Sequence, residues 1–281
     1  MRFAKYQALG NDYIVIDEEG LGALAPALVR TLCDRHLGLG ADGILLVGPR
    51  REGRFAVRIL NPDGSEAEKS GNGLRILARY LFDRREVAAA PFPVDTAGGE
   101  VVCRVERADA IAVEMGRVSF LSTEIPVAGP PREVIGERVL VAGRELCVTA
   151  ASIGNPHCVV LEGPVTRERA LELGPLLELH PLFPRRTNVQ LLEVLDPGSL
   201  RIEIWERGAG YTLASGSSSC AAAAAAVRMG RCRSPVRVHM PGGALDVAVS
   251  ADFRVTLRGP AEAVAEGVLA PELLDRAREA R

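Results

Sequence analysis

The sequence predicts an α+β fold built from two pseudo-symmetric halves. Arg58–Gly71 aligns without a gap with Glu203–Gly216, at an offset of 145 residues. Gly10–Ile16 resembles Gly154–Val160 at an offset of 144 residues. Two separate matches at nearly one offset indicate a duplicated architecture. Many short strand patterns with one helix per repeat favour α+β over a doubly wound sheet.

The amino-acid composition limits the class of protein and the partners to be expected. The chain has 281 residues, 47% of them hydrophobic and 25% charged, with a formal net charge of −2. This balance gives no reason to expect nucleic acid or a membrane as a partner. Six cysteines without a C-x-x-C pair predict neither a zinc cluster nor a disulfide framework. No apolar run resembles a signal peptide or a membrane span, so we expect a cytoplasmic protein with reduced thiols.

Strands and helices in the first half follow from alternation, apolar spacing and turn residues. Gly10–Asp12 predicts a turn between two strands. The glycine run Gly38–Gly43 formally matches G-x-G-x-x-G, but it follows a helix and enters a strand, which favours a helix cap over a nucleotide site. The predicted elements are strands at Phe3–Gln7, Tyr13–Asp17, Ile44–Val47 and Phe55–Leu60, helices at Pro26–Arg35 and Gly71–Arg84, and further strands between Phe92 and Val118.

The second half repeats the theme after a Pro-rich connection at Ser119–Pro131. Ser215–Ser219 leads into Cys220 and a run of alanines, the strongest local helix signal in the chain. We expect one domain at residues 1–118, with residues 261–281 packing back on it as a helical segment, and another at 119–260. The predicted elements are strands near Val139–Val148, a turn at Gly154–Pro156, a helix near Arg167–Leu177, strands starting at Thr187–Gln190 and at Arg201, the Ala-rich helix, a strand at Val236–Met240 and strands to Leu257.

Each half carries a strand, a small-residue loop and a helix start, with Ser70 and Ser215 directly before the two helices. Backbone N–H groups at the positive end of a helix attract an anion. If the halves face each other across a pseudo-twofold axis, both loops approach one cleft and hold a substrate carboxylate there. One reacting group on each side is what a two-base stereoinversion requires. The candidate amides belong to Gly71, Asn72, Gly216 and Ser217.

Polar side chains at turns and strand ends are the candidate substrate contacts, because amides donate and accept while Glu206 and Arg207 complement ammonium and carboxylate groups. Structural explanations stay open. Asn beside Gly is ordinary turn chemistry, Ser before a helix is a good N-cap, and Glu206–Arg207 can be a solvated surface pair. His157 is expected to be hydrogen-bonded structure rather than a base. The candidate amide side chains are Asn11, Asn61, Asn155 and Asn188.

Six motifs follow the order and spacing of one known family over nearly the whole chain. They are Ala8–Tyr13, Asn61–Glu66, Ser70–Arg75, Gly154–Cys158, Thr187–Val189 and Glu206–Gly210. In these motifs the chain resembles the diaminopimelate epimerase family, which shares its fold with proline racemase. The resemblance implies two similar halves, each a curved and mostly antiparallel sheet around a central helix.

The resemblance also implies a function. It predicts a homodimer that interconverts LL- and meso-diaminopimelate in lysine and cell-wall synthesis, with neither a cofactor nor a metal. A small amino acid with carboxylate and ammonium groups is the implied partner. The implied substrate contacts are Asn11, Asn61, Asn155, Asn188, Glu206 and Arg207.

The chain departs from the family's pattern where the proton is transferred. The family uses a cysteine thiol and thiolate at two positions, and this chain has Ser70 and Ser215 there. Tyr211 stands where a second acidic residue is usual, and Lys69 stands where an uncharged residue is common. A thiol has a reference pKa of about 8.5, whereas a serine hydroxyl ionises far less readily. The serine pair therefore does not provide the two thiols of the family's chemistry.

Three explanations of the serines stay open. The protein can be a relative with modified chemistry, such as isomerisation or one-sided proton transfer. Lys69 and Ser70 can form a Ser–Lys pair. The third explanation is a binding protein without catalysis. Family-type epimerase activity, with Ser70 and Ser215 as the catalytic positions, is the primary prediction.

Overall fold

The chain forms two compact units. Unit 1 comprises residues 1–113 and 259–281, and unit 2 comprises residues 114–258. The computed structural model describes residues 1–18 and 24–279, without the side chains of residues 278 and 279. Within those residues, no helix combines the length and apolar character that a membrane span requires.

The elements alternate short strands with five helices along the described chain. The first part contains β1 (Arg2–Ala8), β2 (Asn11–Asp17), α1 (Pro26–Cys33), β3 (Gly43–Val47), β4 (Phe55–Leu60), β5 (Glu66–Ala67), α2 (Gly71–Asp83), β6 (Phe92–Thr96), β7 (Gly99–Arg107) and β8 (Ala110–Arg117). Next come β9 (Glu137–Val141), β10 (Arg144–Ser152), β11 (Pro156–Leu161), α3 (Arg167–Glu178), β12 (Asn188–Asp196), β13 (Ser199–Glu206), β14 (Gly210–Thr212), α4 (Gly216–Arg228), β15 (Val236–Met240), β16 (Gly243–Val249) and β17 (Arg254–Gly259). The chain closes with β18 (Glu262–Val268) and α5 (Pro271–Glu279).

The same strand order recurs in both units. β2 runs parallel to β3 as β11 runs parallel to β12, and β4 is parallel to β6 as β13 is to β15. The hairpins before the two central helices even share their register: Ile59 pairs with Ala67, and Ile204 pairs with Thr212. Each partner lies 145 positions from its counterpart, the offset of the sequence repeat. The predicted α+β fold with two similar halves is confirmed.

The helices α2 and α4 are central to their units. In α2, Leu74, Leu77 and Ala78 are fully buried and form the apolar face of the helix. In α4, every alanine from 221 to 226 is fully buried. Small side chains let the strands of unit 2 approach this helix closely. The run of alanines therefore serves close packing as well as helix formation.

The prediction of a helical closing segment at residues 261–281 is wrong in its first part. Residues Glu262–Val268 form β18, which pairs antiparallel with β1, Arg2 facing Val268. The edge of β1 offers unpaired N–H and C=O groups, and pairing with them outweighs the local helix preference. Among the described residues of this segment, only Pro271–Glu279 is helical, and there Leu273 and Leu274 pack against the α1 core around Val29. Residues 280 and 281 of the predicted segment lie outside the described residues.

The glycine run between α1 and β3 is a helix cap and turn, as predicted. The N–H of Gly38 donates to the carbonyl of Asp34 at 3.0 Å. A Cβ at Gly38 would lie 2.0 Å from the carbonyl oxygen of Thr31, so only glycine fits there. Gly40 has a φ of +71°, in the left-handed region. These close backbone contacts explain the glycines without a nucleotide.

Candidate functional site

The start of α2 is an N-capped helix end at Ser70. The residue has extended backbone angles, φ −141° and ψ 116°, and its Oγ accepts a 3.0 Å hydrogen bond from the N–H of Gly73. The first N–H groups of a helix have no acceptor within it, so those of Gly71 and Asn72 suit an anion. The N-cap role predicted for Ser70 is confirmed.

The start of α4 has the same geometry at Ser215. Its φ is −148° and its ψ is 125°, and its Oγ accepts a 3.4 Å hydrogen bond from the N–H of Ser218. Each serine thus follows a hairpin of its own unit, and the two hairpins share one register and one type of N-cap. Gly216 and Ser217 provide the corresponding first N–H groups.

Asn11 and Asn72 are linked beside Ser70 in unit 1. The Nδ2 of Asn72 donates to Oδ1 of Asn11 at 3.0 Å, and Nδ2 of Asn11 donates to Asp42 at 2.9 Å. The fully buried Arg75 donates to Oδ1 of Asn72 at 2.9 Å. These bonds fix both amides. Asn61 lies outside this network, since its Nδ2 donates to Ser65 Oγ at 2.9 Å in its own turn.

The ion-pair network under Asn11 holds the β2 turn in place. Asp12 lies 2.9 Å from Lys5 Nζ and 2.8 Å from Arg35. The pKa of Asp12 is lowered to about 2: burial raises it, and the hydrogen bonds from Arg35 and Lys5 outweigh that effect. Lys5 therefore forms part of this ion-pair network. Lys69, the second lysine, is half-buried, and burial lowers the pKa of its ammonium group.

In unit 2, Asn155 contacts a buried histidine. Nε2 of His157 lies 2.9 Å from Oδ1 of Asn155, and His157 is fully buried. Burial lowers the pKa of His157 to about 3, while the neighbouring Gln190 raises it by less. The ring is therefore neutral at physiological pH. The expectation that His157 is hydrogen-bonded structure agrees with this geometry.

Asn188 ties together two loops of unit 2. Its Nδ2 donates to the carbonyl of Pro156 at 2.9 Å, and its Oδ1 accepts from the backbone N–H of Arg207 at 2.9 Å. It therefore fixes the backbone at Arg207, whose guanidinium group is exposed and donates to the carbonyl of Arg185 at 3.4 Å. Glu206 is half-buried one residue before.

The turn after β13 is anchored by Glu178 at the end of α3. This buried carboxylate accepts from Trp205 Nε1 at 2.7 Å and from the N–H of Gly208 at 3.0 Å. Tyr211, beyond the turn, donates its hydroxyl to Glu203 at 2.7 Å. Burial, followed by that hydrogen bond, raises the pKa of Tyr211 to about 12. Tyr211 therefore serves as a neutral donor in β14.

Cys158 and Cys220 are not placed to substitute for Ser70 or Ser215. Cys158 and Cys220 are fully buried within β11 and α4, and burial raises the pKa of the Cys158 thiol to about 12. In the part of the chain that the structure describes, no group of three His, Cys, Asp or Glu side chains suits a metal ion.

The chain matches a known protein family over most of its length. The sequence profile of the diaminopimelate epimerase family matches residues 3–121 and 149–264. The chain belongs to that family. It is 50% identical over 277 residues to diaminopimelate epimerase 2 of a Nostoc species, covering 97% of each chain.

A second relative and a solved structure extend the comparison. The diaminopimelate epimerase of Pelotomaculum thermopropionicum is 41% identical over 274 residues, covering 95% of this chain and 98% of that one. A hydroxyproline epimerase from Agrobacterium vitis superposes with a TM-score of 0.70 at 15% identity, covering 95% of this chain and 90% of that chain. At that identity the structural likeness shows a shared fold.

Three contacts in these regions are not predictable from motif spacing. The Tyr13 hydroxyl lies 3.2 Å from Ser70 Oγ, Glu178 anchors the Arg207 turn, and Nε2 of Gln190 donates to Ser218 Oγ at 3.0 Å. Tyr13 lies within a family motif and Gln190 directly follows one. A polar side chain on a buried strand was the sequence feature that could have identified each of them. Glu178 lies outside the family motifs, at the end of α3, so no pattern in the sequence pointed to it.

Proposed function

We propose that the protein is a cofactor-independent isomerase that interconverts the LL and meso stereoisomers of diaminopimelate, or of a related amino acid, in lysine and cell-wall biosynthesis. The observation that supports this most is the repeated N-cap. Two family-matched units present a hydroxyl group with the same backbone angles and the same cap bond before a central helix. Two-base stereoinversion uses two such proton-transfer positions.

Substrate recognition in this proposal uses the polar groups around each helix start. The N–H groups of the first helical residues hold carboxylates. Arg207 pairs with a carboxylate, and Glu206 with an ammonium group. The asparagines complete the polar set, since their amides are held in fixed orientations by neighbouring groups. The proposed substrate contacts are Asn11, Asn61, Gly71, Asn72, Asn155, Asn188, Glu206, Arg207, Gly216 and Ser217.

A second candidate is a homologue with altered chemistry or none, which binds an amino-acid-like ligand. The replacement of both thiol positions by Ser70 and Ser215 favours it, because a tenfold loss in rate needs only about 1.4 kcal/mol of transition-state stabilisation. Loss of base strength at two positions removes much more than that.

Hydrogen exchange at the α-carbon separates the two candidates. The protein is incubated in deuterated water with LL- or meso-diaminopimelate, and α-deuterium is measured by mass spectrometry while binding is measured by calorimetry. Deuterium incorporation with interconversion of the isomers supports the isomerase. Binding without incorporation selects the binding protein, and absence of both contradicts each proposal.

We further propose a cytoplasmic homodimer, following the family resemblance. A single chain has a mass of 30.0 kDa, so light scattering of the purified protein distinguishes a dimer from a monomer. A mass of one chain at micromolar concentration contradicts the dimer.

A further inference from the structure

The buried phenol of Tyr13 contacts the N-cap hydroxyl of unit 1. Its oxygen lies 3.2 Å from Ser70 Oγ, and the residue as a whole is 7% exposed. Tyr13 belongs to β2 and Ser70 precedes α2, so the contact joins a strand to the start of the central helix. It is a direct contact between two groups that can each carry a proton.

The ring of Tyr13 occupies a space that a glycine leaves open. Gly43 faces Tyr13 across the parallel pair β2 and β3. A Cβ at Gly43 would lie 2.7 Å from Cε1 of the Tyr13 ring and 2.6 Å from the carbonyl oxygen of Leu60. A larger residue there would force the ring away, so the Tyr13–Ser70 contact depends on this glycine.

The hydrogen bonds around Ser70 Oγ determine where its own proton points. Oγ already accepts from the N–H of Gly73 at 3.0 Å. When Tyr13 donates to it as well, Oγ accepts two hydrogen bonds at the positive end of α2, and its own proton can point to a ligand.

The counterpart position in unit 2 carries different chemistry. His157 stands 144 residues after Tyr13, and its Nε2 lies 2.9 Å from Asn155 Oδ1. Its strand partner is Asn188, where unit 1 has Gly43. The Tyr13–Ser70 pair therefore distinguishes one helix start from the other.

We propose that Tyr13 is the proton-relay partner of Ser70. It exchanges a proton with the Ser70 hydroxyl, which in turn exchanges a proton with the α-carbon of the substrate. The relay rests on the proposed isomerase function. When the α-proton is removed, the Cα–H bond breaks and its electron pair stays on the α-carbon. An O–H bond forms at Ser70 Oγ, and the proton that Ser70 carried passes to the Tyr13 phenolate. In the reverse direction the phenol protonates Ser70 as Ser70 protonates the α-carbon.

A phenol suits this role better than an isolated serine. Its reference pKa of about 10 lies much nearer to that of a thiol, about 8.5, than the pKa of an aliphatic hydroxyl does. Burial opposes ionisation of the phenol, and a hydrogen bond donated by the Ser70 hydroxyl to the Tyr13 oxygen stabilises the phenolate. A relay that ends on a phenol thus recovers part of the base strength lost with the thiol. The serine serves as the short link to the substrate.

Replacing Tyr13 by Phe tests the relay, with Tyr6→Phe as the matched control. Tyr6 is also a buried tyrosine of unit 1, and its hydroxyl donates to Asp83 at 3.0 Å, away from Ser70. We expect Tyr13→Phe to slow α-deuterium exchange by at least about tenfold and to remove the rise in exchange rate with pH that accompanies ionisation of the phenol. Tyr6→Phe should leave both unchanged, and thermal unfolding of the two variants checks that each folds.

A fluorinated tyrosine at position 13 gives a readout that a structural role would not move. The more acidic phenol should shift the rise in exchange rate to lower pH. An unchanged rate and profile in Tyr13→Phe, with active wild type, overturns the relay alone. Absence of exchange in wild type overturns the isomerase proposal and the relay with it.

Discussion

The indole Nε1 of Trp205 donates a 2.7 Å hydrogen bond to the carboxylate of Glu178, the last residue of α3. The other oxygen of Glu178 accepts from the N–H of Gly208, one residue after Arg207. A single buried carboxylate thus holds both ends of the turn that carries the proposed substrate-binding pair. The position of Arg207 therefore depends on a helix end that is distant in sequence.

Replacing Glu178 by Gln should loosen this turn. A carboxylate accepts from both Trp205 Nε1 and the N–H of Gly208, whereas an amide has one oxygen and must direct its NH₂ group toward one of these donors. A charge-assisted hydrogen bond contributes about 1.5–3 kcal/mol, so we expect substrate affinity to fall on the order of tenfold or more. Calorimetry with meso-diaminopimelate measures it. Glu172→Gln, on an exposed position of the same helix, is the control, and equal affinities in both variants would refute the anchoring role.

Replacing Ser70 or Ser215 by Ala should abolish α-proton exchange as well as remove an N-cap. Thr166 caps α3 in the same way, accepting from Arg169 N–H at 3.3 Å. Each of the three Ala variants should lose roughly 1 kcal/mol of stability in chemical denaturation. Only the two serine variants should lose exchange. If Thr166→Ala loses as much exchange, the effect is structural.

Introducing thiols at both positions should raise the exchange rate. In a Ser70→Cys, Ser215→Cys double variant, each thiol sits at a helix N-terminus, which favours the thiolate. Because proton-transfer rates follow base strength, we expect a gain of at least about hundredfold in α-deuterium exchange over wild type. Thr166→Cys controls for a thiol at an unrelated helix start. No gain in the double variant would contradict two-sided acid–base use of these positions.

His157 should make stability depend on pH in a defined window. Its pKa is lowered to about 3 by burial, whereas an unfolded histidine titrates near its reference pKa of about 6.5. Between these values the unfolded chain binds a proton that the folded chain does not. The contribution is therefore complete above about pH 6.5 and is lost by about 1.4 kcal/mol per unit as pH falls.

Urea unfolding at pH 7, 6, 5 and 4.5 measures this slope. His157→Gln should flatten the pH dependence, whereas His36→Gln, at an exposed turn, should retain it. Below about pH 4, Asp12 adds a second loss, since its pKa of about 2 is depressed and its ion pairs weaken as it protonates. A wild-type curve that is flat from pH 7 to 4.5 would contradict a buried neutral His157.

Some of the fold follows from local sequence because local rules and tertiary packing agree there. The strands Phe55–Leu60 and Val236–Met240 have the predicted bounds, and α2 begins at Gly71 after its serine cap. Glu262–Val268 was misassigned because its strand form depends on the free edge of β1. These seven residues are almost all exposed, and their pattern does not predict pairing with β1.

The amino-acid sequence by itself determined the duplication, the capped helix starts and the family, because these rest on spacing and local hydrogen bonding along the chain. Tertiary structure alone decided which side chains touch. Tyr13 reaches Ser70 and Glu178 holds Trp205 because strand pairing and helix packing bring together residues 57 and 27 positions apart. Contacts of that kind depend on the relative placement of elements, which no local pattern encodes.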